Sequence, residues 1–209
     1  MLRRSLLLGL ALCAFAVAPC RGQDTWQAEA KLLAGLLNWH DGAVVAEIGA
    51  GNGKLTVLAA QRVGPTGKVY TTELDLDKLA HLRELAARDR NITAVKAAEA
   101  DTNLPPACCD SIFMRLVYHH LTKPADIDAS LFRSLKPGAR LAVIDEDPLE
   151  GSSIPEGVPK NRGGHGIPQR ILVSELTAVG FEVESVHNDW PSRDASHLIY
   201  CVVFRKTNR

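Results

Sequence analysis

The stretch Val44-Val45-Ala46-Glu47-Ile48-Gly49-Ala50-Gly51-Asn52-Gly53 concentrates the chemistry of this chain. A short apolar run carries an acid and opens into three glycines at alternate positions, with a helix-compatible segment behind them. Glycines at that density strip the side chains from a strand-to-helix turn, so a ligand can lie against bare backbone. This is the layout of a nucleotide-type cofactor site at the carboxyl edge of a parallel sheet. A dinucleotide fingerprint, G-x-G-x-x-G, needs its third glycine at position 54. That residue is Lys54, and the third glycine comes one place earlier, at Gly53. The spacing therefore disfavours a nicotinamide oxidoreductase. A tight turn with no ligand is the plainer alternative, so the rest of the chain has to bear on the choice.

Glu73 ends a second β-rich run 20 positions beyond Gly53. A carboxylate there offers two coplanar oxygens to a pair of ribose hydroxyls; the alternative is a solvated acid at a strand end. Glu99 and Asp101 follow a third run, where an acceptor can take the exocyclic amine of adenine. Tyr118-His119-His120-Leu121 follows the fourth. There Tyr118 and one histidine are expected to line a substrate pocket, and an imidazole is the natural proton acceptor if the nucleophile needs activating. Side chains of adjacent residues diverge, so His119 and His120 are not expected to share a metal ion, and one of them reads equally well as a packed core residue. Asp145-Glu146-Asp147 crowds three carboxylates at the end of the fifth run. In a pocket this makes a base, or a site for a cation; at the surface it is a solvated loop. His165 lies between glycines in Gly163-Gly164-His165-Gly166, which would let it swing over a pocket. Cys108 and Cys109 have no cation beside them in sequence and read as filler.

The elements that must position these groups alternate. Strands are expected over Val44–Ile48, Lys68–Glu73, Ile92–Ala97, Ser111–Val117 and Arg140–Asp145. Helices are expected over Gln27–Leu37, Lys54–Val63, Asp77–Arg88 with Asp77 as N-cap, Ala125–Leu135 and Gln169–Val179. Strand and helix in turn imply a parallel sheet covered on both faces. Glu146–Pro168 breaks the rhythm with four prolines and five glycines in 23 positions, which marks a substrate-side loop. Two final β-rich runs, Phe181–Val186 and Leu198–Phe204, suit an antiparallel pair closing the sheet.

With 209 residues, 46% of them hydrophobic, the chain can bury one full core. Its 24 basic and 24 acidic side chains cancel and are dispersed, which argues against a nucleic-acid surface. Residues 1–22 differ in kind: Arg3 and Arg4 precede the apolar run Leu6–Ala18, and no acid occurs before Asp24. They read as a secretory signal peptide cut after Gly22, or as an uncleaved anchor, a twin-arginine signal or a mitochondrial presequence. Export to the periplasm or membrane association follows, with a cytosol-facing domain (23–209) if the leader is an uncleaved anchor. Of five cysteines, Cys108, Cys109 and Cys201 lie beyond the leader; there is no disulfide framework and no Cys-x-x-Cys zinc pair.

The Glu47…Gly49-x-Gly51-x-Gly53 rhythm resembles motif I of the class I S-adenosylmethionine (SAM)-dependent methyltransferases. The resemblance continues through Leu104-Pro105…Asp110, the Tyr-His-His-Leu run, Arg133-Ser134-Leu135-Lys136-Pro137-Gly138 and Ala178-Val179-Gly180-Phe181. It is closest to the small-molecule, ubiquinone/menaquinone-methyltransferase-like branch. It departs from the commoner pattern after the third strand, where Ala97-Ala98 replaces Gly-Asp and the adenine-binding acid would move to Glu99. The resemblance implies a Rossmann-like, doubly wound α/β fold in three layers, with a seven-stranded sheet of order 3-2-1-4-5-7-6 and strand 7 antiparallel. It implies SAM as cofactor, held by Glu47, Gly49, Gly51, Gly53, Glu73, Leu74, Glu99, Arg115 and Val117, the last two through their backbone at the methionine end. It implies an in-line displacement in which a small-molecule N, O, S or C nucleophile attacks the sulfonium methyl. It assigns no catalytic residue and no metal; Tyr118, His119, His120, Asp145 and His165 are the candidates. SAM is made in the cytosol while the leader predicts export, so an exported nucleoside-binding protein without turnover is the alternative.

Overall fold

The computed structural model describes residues 21–191 and 199–207, with side chains from Thr25 onward. Most of the expected leader, residues 1–20, lies outside the described residues; Arg21 and Gly22 belong to the first turn of the first helix. Among the described residues no helix is long and apolar enough to cross a membrane.

Seven strands form one sheet: β1 (Val44–Ile48), β2 (Lys68–Glu73), β3 (Ile92–Lys96), β4 (Cys109–Arg115), β5 (Leu135–Glu146), β6 (Phe181–His187) and β7 (Ile199–Lys206). Their order is β3-β2-β1-β4-β5-β7-β6, with β7 antiparallel to both neighbours and every other pairing parallel. The helices are α1 (Arg21–Leu36), α2 (Lys54–Val63), α3 (Leu76–Arg88), α4 (Pro124–Ser134) and α5 (Gln169–Ala178). Successive residues of a strand face opposite ways. Thus β4 sends Phe113 to one layer, with Leu33 of α1 and Leu55 and Ala59 of α2, while Ile112 and Met114 join Leu131 of α4 and Leu172 of α5 in the other. The outcome is the Rossmann-like three-layer sandwich.

Three expectations differ for local reasons. Asp75, not Asp77, caps α3, accepting from the backbone N–H groups of Asp77 and Lys78 at 2.9 and 3.0 Å. The expected turn at Lys136–Gly138 is instead an irregularity inside β5, whose ladder jumps from Cys109↔Leu135 to Ser111↔Arg140. Cys108 does have cations nearby in space: its thiol is held below the usual range, first by a hydrogen bond with Cys109, then by Lys136 and Lys68.

The first helix is bolted on by one buried acid. Glu29 accepts at Oε1 from Arg115 Nε at 2.7 Å and from Trp190 Nε1 at 2.8 Å, while Trp26 lies against the same guanidinium. It stands four residues before Leu33 on the buried stripe of α1, so its charge is desolvated and depends on those partners. Glu29→Ala is expected to cost about 3 kcal/mol in a urea titration, because it leaves Arg115 unpaired; a loss under about 1 kcal/mol would contradict that role.

Candidate active site

The carboxyl ends of β1, β2, β3 and β4 open onto a cleft of about 450 Å³, bordered at β1 and β4 by the point where strand order reverses. Gly49, Gly51, Glu73, Leu74, Glu99, Arg115, Val117 and His120 all line it, together with Thr72, Ala97, Ala98 and Leu116.

Glu73 is the hub. Its Oε1 accepts the backbone N–H groups of Leu74 (2.8 Å) and Asp75 (3.2 Å), and its Oε2 accepts that of Gly51 (3.0 Å). An ionised carboxylate has about four lone-pair positions, so three are taken and one on Oε2 is left toward the cleft. Gly51 faces open space, since a Cβ built there meets no atom within 4 Å. Gly49 does a different job. It sits at φ +65°, and a Cβ there would lie 2.6 Å from the Val117 side chain, so glycine lets β1 and the segment after β4 approach. Leu74 stays 51% exposed and offers an apolar face beside the carboxylate. Glu99 is exposed at the rim, 3.9 Å from Lys123 Nζ.

Two of the expected residues, Glu47 and Gly53, do not line the cleft. Glu47 points away from the cleft, beneath α2, where Thr56 donates to its Oε2 and lies 3.0 Å from Thr71 Oγ1. Burial pushes its pKa from 4.5 up to about 8. Gly53 is also outside the cleft: it precedes α2, and a Cβ there would strike Leu85 and Leu82 of α3 at 2.6 and 2.9 Å. Arg115 and Val117 do border the cleft, but the Arg115 side chain is spent on Glu29.

The Tyr-His-His run forms a 3-10 turn, Tyr118–His120, after β4. Tyr118 is not a pocket residue. It is fully buried and donates to Asp128 Oδ2 at 2.8 Å, with Glu175 Oε2 at 3.0 Å, and burial beside these acids drives its hydroxyl well above the usual tyrosine range. Arg162, from the loop after β5, closes this buried group through Glu175 at 2.7 Å. Asp145 and Glu146 are buried, which overturns the solvated-loop alternative for both; Asp147 is exposed. Asp145 Oδ1 meets His119 Nδ1 at 2.6 Å, and Oδ2 accepts the His119 backbone N–H at 3.2 Å. His165 completes the group, its ring centroid 4.6 Å from that of His119 and 5.1 Å from that of His120. The expectation that neighbouring histidines diverge fails here, for the His119 and His120 rings are 4.1 Å apart.

Sequence reasoning did not find Leu116, which lines the cleft at φ +53°, a strained conformation for leucine and one with no compositional signal. Nor did it find Glu29, although an acid at the i−4 position from Leu33 on an apolar stripe was a visible anomaly.

Comparison with known proteins agrees with this geometry. A family model described as "Methyltransferase domain" matches residues 46–143. The ubiquinone/menaquinone biosynthesis C-methyltransferase UbiE of Erwinia tasmaniensis is 27% identical over 70% of this chain and 69% of its own length. The namesake from Marinomonas is 30% identical over 50% of this chain and 43% of its own length. A SAM-dependent methyltransferase from Aquifex aeolicus superposes with a TM-score of 0.67, at 23% identity, over 85% of this chain and 89% of that one. The chain is thus similar to the class I, SAM-dependent methyltransferases, and SAM is the cofactor that similarity indicates. The cleft suits that cofactor on its own terms: open space at Gly51, a lone pair left on Glu73 and the apolar face of Leu74 match a nucleoside's backbone, sugar and base contacts.

Burial of Glu47 fixes a pH dependence. The folded state keeps a proton that the unfolded chain loses near 4.5, so stability falls as pH rises from there to about 8 and levels beyond. Glu47→Gln is expected to remove this decline, gaining a few kcal/mol (order of magnitude) over the parent at pH 8.5 and little at pH 5, in urea titrations at both values. Equal slopes for the two proteins would contradict it.

Proposed function

We propose that this methyltransferase moves the SAM methyl group to an apolar, ring-bearing small molecule held where Val117, His120, Leu121 and Ile127 border the cleft. The observation that carries the reading is the Glu73–Gly51 clasp in an open cleft that Val117, Leu121 and Ile127 also border, beside the His120 imidazole and Thr122. Bound there, the cofactor would supply a methyl already activated on a sulfonium. The chain's own work is then alignment and exclusion of water. Glu73 and Gly51 anchor the sugar, Leu74 flanks the base, and Glu99 and the Ala97–Ala98 backbone border the base edge. Leu121 and Ile127 supply apolar contact to the acceptor. His120, whose pKa burial lowers, borders the acceptor end of the cleft.

The relatives named for ubiquinone and menaquinone C-methylation support carbon as the acceptor atom. A lipophilic acceptor also suits the membrane-proximal placement expected from residues 1–22.

Calorimetric titration is expected to show one site for SAM and one for S-adenosylhomocysteine. Glu73→Ala is expected to weaken both by roughly 10- to 100-fold, the usual worth of a hydrogen bond to a charged group. Unchanged affinity would take Glu73 out of the site, and tight binding of NAD with none of SAM would overturn the reading.

A further inference from the structure

We propose that His119, His120 and His165 form a binding site for a divalent transition-metal ion of the Zn²⁺ class, beside the cofactor cleft and oriented by Asp145. The inference does not depend on methyl transfer, and its test reads metal binding alone.

Three imidazoles from two segments far apart in the chain converge here. Their candidate donor nitrogens all lie within 4.8 Å of one another. Around a Zn²⁺ ion with bonds of about 2.1 Å, tetrahedral nitrogens stand roughly 3.4 Å apart, so closure asks for about 1 Å of ring movement. The rings with room to make it are His120 and the half-exposed His165.

The decisive group is His119. It is 1% exposed, and its Nδ1 is taken by Asp145 Oδ1. That carboxylate acceptor keeps the proton on Nδ1 and leaves the Nε2 lone pair free. Nε2 is buried and has no hydrogen-bond partner. A buried acceptor without a partner costs about 1–3 kcal/mol, so it calls for an explanation. A carboxylate behind one ring nitrogen and a vacant lone pair on the other is the arrangement that prepares histidine to ligate a metal. His165 repeats it more loosely, with Glu146 Oε1 3.6 Å from its Nδ1.

The position of His165 is built rather than accidental. Its backbone N–H donates to Ser152 Oγ at 2.7 Å, and its carbonyl accepts from Leu149 N at 3.0 Å. Two residues on, Ile167 donates to the Glu146 carbonyl at 2.9 Å and accepts from Tyr200 Oη at 2.7 Å. Gly166, at φ +118°, has no room for a Cβ, which would lie 2.8 Å from the Asp147 backbone. The glycines therefore serve close packing of the loop on β5 and set the ring in place, instead of letting it swing. Three imidazole nitrogens suit Zn²⁺, Fe²⁺ or Ni²⁺ better than Mg²⁺ or Ca²⁺, and three protein ligands leave a fourth position open.

The test uses the full chain, purified without a histidine tag and stripped with chelator. Zn²⁺ is titrated against a chromophoric competitor, and Co²⁺ is followed by its visible absorption. One ion per chain is expected, with the strong d–d bands of a low-symmetry four-coordinate site. His165→Ala and His119→Gln are expected to lose at least about 100-fold in affinity, and Asp145→Asn about 10- to 100-fold. His165→Ala is on a surface loop, and an unchanged melting curve of the stripped protein shows that it folds. No stoichiometric binding by the parent, or parent-like binding by His165→Ala, would overturn the site. So would an equal loss in the surface control His81→Ala.

Discussion

A single carboxylate joins the two loops on which the cofactor cleft depends. Glu73 closes β2 and accepts three backbone N–H groups, one from the glycine turn after β1 and two from the turn that starts α3. Each of those donors sits at a chain reversal where no strand or helix partner exists, and a buried donor left unpaired is costly. The same side chain thus shapes the cleft and presents the remaining lone pair to it. Parallel pairing of β1 with β2 brings Ile48 beside Thr72, so Glu73 arrives next to the glycine turn through register alone.

Acids at strand ends take opposite roles according to what surrounds them. Glu73 is stitched to backbone donors at the cleft. Glu47 sits one layer down under α2, where burial keeps it protonated at neutral pH and a threonine pair receives it. Asp145, at the end of β5, holds a histidine by both ring and backbone. The sheet's carboxyl edge therefore has two chemically distinct ends: a glycine-and-carboxylate end on β1 and β2, and an imidazole end on β4 and β5. His120 belongs to both, lining the cleft while its ring lies against His119.

The scaffold was largely legible in the sequence. Val44–Ile48, Lys54–Val63 and Lys68–Glu73 are apolar-patterned segments bounded by glycine turns, and they stand where their patterns put them. The sheet order followed from the resemblance rather than from periodicity. Side-chain direction was harder to read. Glu47 alternates to the helix side of β1 and not to the cleft, a matter of strand phase that one acid cannot reveal. Asp75 and Asp77 both lie within capping reach of α3, and only the backbone path chooses between them. The histidine cluster was hidden for a further reason. Neighbours in a 3-10 turn diverge by about 120° rather than the 180° of a strand. That leaves a sector between His119 and His120, which a loop 45 residues downstream fills with His165.

The central claim is that a sulfonium nucleoside lies along the Gly49–Gly51 backbone with its sugar on Glu73. A crystal structure with S-adenosylhomocysteine bound tests it most directly. The account predicts a ribose hydroxyl within hydrogen-bond distance of Glu73 Oε2, the base against Leu74 and the sulfur turned toward Val117 and His120. A nucleoside bound elsewhere, or in this cleft with its sugar away from Glu73, would contradict it.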